Sequence, residues 1–207
     1  MAKSTQFSRM RRLLAVESAR IMAEEAVTDF RAAKEKAARH LGVDAQQHWP
    51  SNVEIQEELQ ARLALFHGDT QPGELRQLRE VALEAMDWLA AFHPRLVGPV
   101  LEGHATRHST IVLHLFADAP ESVLFFLVDA GTAYDEGWQR LHFGEEPAAD
   151  YPVVSLTFEN VPLRLVIFGL DDDRRSPSSS VDGRPVRRAA PAQLRKLLEL
   201  PEEPCSF

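Results

Sequence analysis

The sequence predicts an α+β protein in which helices come first and a mixed β-sheet follows. Three observations predict it. Through the first 93 positions apolar residues recur at three- and four-residue spacing, the period of an amphipathic helix. After Pro94 the apolar runs shorten and are bounded by Gly, Asn, Asp and Pro, as strands are. One helical pattern, at 120–128, falls among those strand signals.

Each element has its own signal. Residues 8–41 read as one long helix: Met10, Leu13, Leu14, Ile21, Met22, Ala26, Val27, Phe30 and Leu41 form its apolar stripe, and Gly42 takes the C-cap position. A helix of that length outreaches a small core, so its surface is a candidate pairing face for a partner helix or a second copy of the chain. A second helix starts at Ser51. Ser51 and Glu54 have capping-box spacing, and Ile55, Leu59, Leu63 and Phe66 make the stripe up to Gly68. A third follows Thr70 and Pro72, with Leu75, Leu78, Val81, Ala82, Ala85, Met86 and Leu89 on one face, and ends at Pro94.

Beyond it, 95–102 and 109–116 read as β-rich runs joined by Gly103-His104-Ala105-Thr106-Arg107-His108. The helix at 120–128 carries Asp118 and Glu121 at cap spacing and stops at Gly131. Strand signals return at 138–143, 153–158 and 163–168, the last two linked by the tight turn Glu159-Asn160-Val161-Pro162. Residues 169–190 read as a loop, long enough to be mobile or functional. A short helix closes the pattern at 191–199, with Leu194, Leu197 and Leu198 inward. The domains expected are a helical region at 1–69, an α/β core at 70–170, and a basic loop with a C-terminal helix at 171–207.

Charge narrows the function. The chain of 207 residues has a net charge of −8, which argues against coating duplex nucleic acid, where phosphate neutralisation dominates affinity. The charge is uneven. Residues 1–40 hold nine Lys/Arg against five Asp/Glu, and 174–196 hold seven against one Asp. A local site for a small anion is therefore open. One cysteine, Cys205, allows neither an internal disulfide nor a Cys-based zinc site. The charged N-terminal segment and the lack of a long apolar run predict a cytoplasmic protein with no membrane span.

The segment Gly98-Pro99-Val100-Leu101-Glu102-Gly103, followed by Ser109-Thr110-Ile111-Val112-Leu113-His114, sits within helix, strand, turn, strand, helix. In that setting it resembles the nucleotidyltransferase superfamily of the DNA-polymerase-β type, especially its minimal members. The resemblance covers roughly 70–170 and implies a sheet of nucleotidyltransferase-like topology. Gly98 matches the first Gly of the family's Gly-Ser, with Pro99 where Ser is usual. Gly103 matches the second Gly, and Ser109 the Ser before the first aspartate. Thr110 and Val112 then stand at the two metal-binding aspartates.

That departure removes the family's chemistry. Two Mg²⁺ ions offset the phosphoryl charge in nucleotidyl transfer, and Mg²⁺ takes hard oxygen ligands. Alternate strand residues share a face, so Thr110, Val112 and His114 are expected together. Val ligates nothing, and the strand at 163–168, where the family keeps a third carboxylate, offers Arg164. The expectation is a pseudoenzyme: no catalytic residue, no metal, no cofactor, and a role as a binding, regulatory or protein-interaction module. The alternative is an active nucleotidyl- or phosphoryl-transfer enzyme with rearranged acids such as Glu102, or other chemistry using His114.

Two sets of residues are candidates for ligand contact. One is the cleft of Gly98, Glu102, Gly103, Ser109, Thr110, Val112 and His114, suited to a nucleotide or other small anion. The second is the loop of Arg174, Arg175, Arg184, Arg187 and Arg188, a possible fork for carboxylate, phosphate or RNA. His104, His108 and His114 are too few in one helical register to predict a Zn²⁺ site. Neither Gly-x-Ser-x-Gly nor a P-loop occurs.

Overall fold

A computed structural model describes residues 2–25, 27, 29–43, 49–67 and 71–199, with backbone alone at 2–7, 64–67 and 71. Readings that involve Ala26, Gly68, Thr70, Cys205 and the Phe66 side chain fall outside the described residues. The chain divides into two compact units: Met1–Asp69 with Ser180–Asp182, and Thr70–Ser179 with Gly183–Phe207.

The first unit holds α1 (Ala2–Glu24), α2 (Phe30–Leu41) and α3 (Asn52–His67). The single helix expected at 8–41 is two. Asp29 breaks it: its backbone is extended, and its side chain accepts from Ala32 N at 2.6 Å as the N-cap of α2. The chain then reverses. Glu17 meets His40 at 3.0 Å and Glu25 pairs with Lys36, an antiparallel pattern. Leu14 and Ile21 bury against Ala33, Ala37 and Ala38, whose small side chains let the helices approach. Leu13 and Leu41, expected in the stripe, are exposed. The length that suggested a partner helix is thus divided between two antiparallel helices. At α3 the capping box forms: Ser51 Oγ accepts from Glu54 N at 3.2 Å, and Ser51 N donates to Glu54 Oε2 at 2.7 Å.

The second unit is helices packed against a five-stranded mixed sheet, so the fold is α+β. It runs α4 (Gln71–Trp88), β1 (Arg95–Val97), α5 (Pro99–Glu102), β2 (Ile111–Ala117), α6 (Pro120–Asp129), β3 (Tyr134–Leu141), β4 (Ala149–Phe158), β5 (Val161–Gly169) and α7 (Pro191–Glu199). The strand order is β1-β2-β5-β4-β3, with β2 and β5 parallel and every other neighbour antiparallel. One face, bearing Ile111, Leu113, Leu115, Leu163, Leu165 and Ile167, packs the main core with Leu78, Ala82, Ala85, Met86 and Leu89 of α4, Val123 and Leu127 of α6, and Leu194 of α7. The opposite face bears Phe116, Val153, Val166 and Phe168 and a smaller aromatic cluster.

Several local expectations change. The run at 95–102 is a three-residue strand followed by one helical turn, because Gly98 at φ +72°, ψ −154° turns the chain and Pro99 starts α5. Asp118 does not cap α6: the N-cap is Ala119, without a side-chain cap bond, and Glu121 lies in the first turn. Gly131, at φ +65°, ends α6 as expected. The β4–β5 turn is the pair Glu159-Asn160, both at positive φ (47° and 62°). The loop at 169–190 is ordered. It opens with a 3₁₀ turn at Leu170–Arg174, bridges Ser178 to Pro185, and ties Ala189 to Leu96 through two backbone hydrogen bonds of 2.8 and 2.9 Å.

Candidate functional site

The parallel pairing of β2 with β5 sets the site. Val112 lies opposite Arg164, His114 opposite Val166, and Phe116 opposite Phe168, all on the aromatic face. Arg95 of β1 is opposite His114 on the other side. Opposite Val112 this face therefore carries the guanidinium of Arg164 and no carboxylate.

His114 is 5% exposed. Its Nδ1 accepts from Arg188 Nε at 3.0 Å, which leaves the hydrogen on Nε2 and the ring neutral. Burial, and then the charge of Arg188, push the His114 pKa down to about 3. A histidine so held is an acceptor for arginine, not a proton relay near neutral pH. Its ring centroid lies 4.7 Å from that of Phe168.

Arg188 reaches this point because Ala189 is bonded to β1, which turns the preceding side chain onto the sheet. Its Nη1 donates to Asp172 O at 3.1 Å and Arg175 O at 2.6 Å. The guanidinium carbon sits 5.0 Å from the Phe116 ring centre and 5.1 Å from that of Phe168. Burial lowers its pKa, opposed by Asp173 and Asp172. Arg175 covers Phe143 at 4.5 Å and pairs with Asp172 at 2.9 Å and Glu146 at 3.0 Å. Arg95 pairs with Asp173 at 3.2 Å. Arg164 Nη2 donates to Gln139 Oε1 at 3.3 Å. Two donors, Arg164 Nε and Arg188 Nη2, are buried without a hydrogen-bond partner.

The remaining predicted residues sit elsewhere. Thr110 precedes β2 and is half-buried, and Val112 packs at the margin of the aromatic cluster. Ser109 Oγ accepts from Thr106 N at 2.9 Å, closing the turn before β2. Gly98 and Gly103 bracket α5, both at positive φ. Glu102 lies at the end of α5, with His104 Nε2 at 3.8 Å, next to Val100 and Leu101 of the helix-side core. Among the described residues no three His, Cys, Asp or Glu side chains gather to hold a metal, so His104, His108 and His114 do not form a set. The five loop arginines do not form one fork: Arg175 and Arg188 cover the aromatic face, while Arg174, Arg184 and Arg187 are exposed.

Sequence reading missed the aromatic shelf of Phe116, Phe143, Tyr151 and Phe168, and the part Arg95 and Asp172 play in pinning the loop. The signal present was the two-residue spacing of His114 and Phe116, and of Val166 and Phe168. Compared with protein-family models, curated proteins and solved structures, the chain gives no match.

Proposed function

We propose that the chain is a non-catalytic, nucleotidyltransferase-like binding module that takes a small anionic ligand on the β2–β5 face and acts by binding or regulation. One observation carries this reading: Arg164 lies opposite Val112, one pleat from His114 and Arg188. A face of that composition repels Mg²⁺ and attracts anions. The buried donors Arg164 Nε and Arg188 Nη2 support it, because burial of an unpaired donor is costly and an acceptor oxygen relieves that cost.

Calorimetric titration with ATP, CTP, GTP, UTP and inorganic pyrophosphate, each with and without Mg²⁺, tests the reading. The expected result is anion binding that needs no metal, weakens with salt, falls with Arg164→Ala, and leaves the nucleotide unchanged. Tight Mg²⁺-dependent binding with turnover contradicts it and favours an enzyme with rearranged acids.

A further inference from the structure

The two edges of the sheet differ. The outer edge of β1 is engaged by Ala189, which exchanges two backbone hydrogen bonds with Leu96. At the other end, β3 has β4 as its strand neighbour, and 135–138 are all exposed. Trp138 is 73% exposed, the highest of the exposed large hydrophobics among the described residues. A bare edge of this kind offers a row of unpaired N–H and C=O groups to another strand.

The residues along that edge are self-complementary. Glu136, Trp138 and Arg140 alternate onto one face, opposite Val154, Pro152 and Asp150 of β4. A two-fold axis normal to the sheet keeps faces together, so an antiparallel β3–β3′ pair must be centred on a residue. Centring it on Trp138 puts Trp138 against its own copy, Glu136 against Arg140′, and Arg140 against Glu136′. Moving the centre to Gly137 sets Glu136 against Trp138′, and moving it to Gln139 sets Trp138 against Arg140′. The Trp138 register alone matches both charges with their opposites, around an aromatic pair. Ser178 N already takes His142 O at 2.7 Å, so the ladder runs from 135 to 141.

We propose that β3 is a homodimerisation edge. Two copies pair antiparallel through residues 135–141 about Trp138 and join their sheets into one of ten strands. The surface is separate from the aromatic face of β2 and β5 and does not depend on what that face binds.

Analytical ultracentrifugation of the full chain over a dilution series tests this with a charge-swap cycle. Arg140 also lies 3.7 Å from Asp150, so every variant is made in an Asp150→Asn background, which removes that intrachain partner. The background protein is expected to dimerise. Glu136→Arg and Arg140→Glu each place like charges opposite twice in the dimer and weaken it by roughly tenfold or more. The double variant, Glu136→Arg with Arg140→Glu, restores opposite pairs and recovers the dimer. Thermal melting of each variant confirms that the fold is retained. A monomer in the background protein, a dimer indifferent to the single swaps, or a double variant that fails to recover each overturns the proposal.

Discussion

His114 makes a sharp prediction about pH. Its pKa is near 3 in the folded chain and near 6.5 when unfolded, so between those values the unfolded state binds a proton that the folded state does not. Stability contributed by the neutral ring is complete above pH 6.5 and is lost as pH falls toward 3, at about 1.4 kcal/mol per pH unit. Urea unfolding of His114→Gln as a function of pH should show a shallower acid loss than the parent; parallel curves would exclude the assignment. Lys34 is a second residue at odds with its place, 8% exposed over the Trp49 ring at 5.6 Å. Burial lowers its pKa against the pull of Glu54 and Asp29. Lys34→Met keeps the chain length and removes the desolvated ammonium. It should leave the helical unit equally stable or more so, read by denaturant midpoint. Neither environment was legible in sequence. An isolated His or Lys reveals nothing of its burial until strand pairing or helix reversal brings neighbours to it.

Among the elements, those with local chemistry were legible. The Ser51–Glu54 capping box forms because both partners lie within one turn, and Ser51→Ala should cost the helical unit about 1 kcal/mol. Gly42 caps α2 in the left-handed region for the same local reason. The 8–41 segment was misread because the hydrophobic period continues across the reversal. Asp29 was the one stop signal, and it carries no Glu three residues on. Glu17 now helps hold the hairpin: Arg20 donates two hydrogen bonds to it at 2.7 and 3.0 Å, and His40 lies at 3.0 Å. Those contacts, led by Arg20, take its pKa to about 2. Their contribution is present above pH 4.5 and is lost as pH falls toward 2, and for half-buried pairs still reached by solvent it amounts to ~1 kcal/mol or less. Glu159 presents the opposite case, a non-glycine residue at φ +47° in a two-residue hairpin turn. Glu159→Asn suits that turn better and should raise stability by about 0.5–1 kcal/mol, measured by thermal melting.

At the scale of the whole molecule, the α+β class followed from the change of period after Pro94, and the parallel β2–β5 pair could not be read there. That pair is what sets Arg164 against Val112, from strands 52 residues apart in the chain at these positions. The loop at 169–190 was long by composition, yet it is held down by Arg188, Arg175 and the Leu96–Ala189 bridge. Arg188→Ala should release that segment and speed limited trypsin cleavage after the exposed Arg174 and Arg187. Among the described residues no helix is long and apolar enough to cross a membrane. On the function proposed, the β2–β5 face, with Arg164 opposite Val112, takes anions and holds no divalent cation. Electron paramagnetic resonance of Mn²⁺ titrated into the protein without nucleotide measures this directly. The expected result is the same free manganese signal with protein as without it. A protein-bound Mn²⁺ signal, retained in Arg164→Ala and lost on excess Mg²⁺, would contradict it.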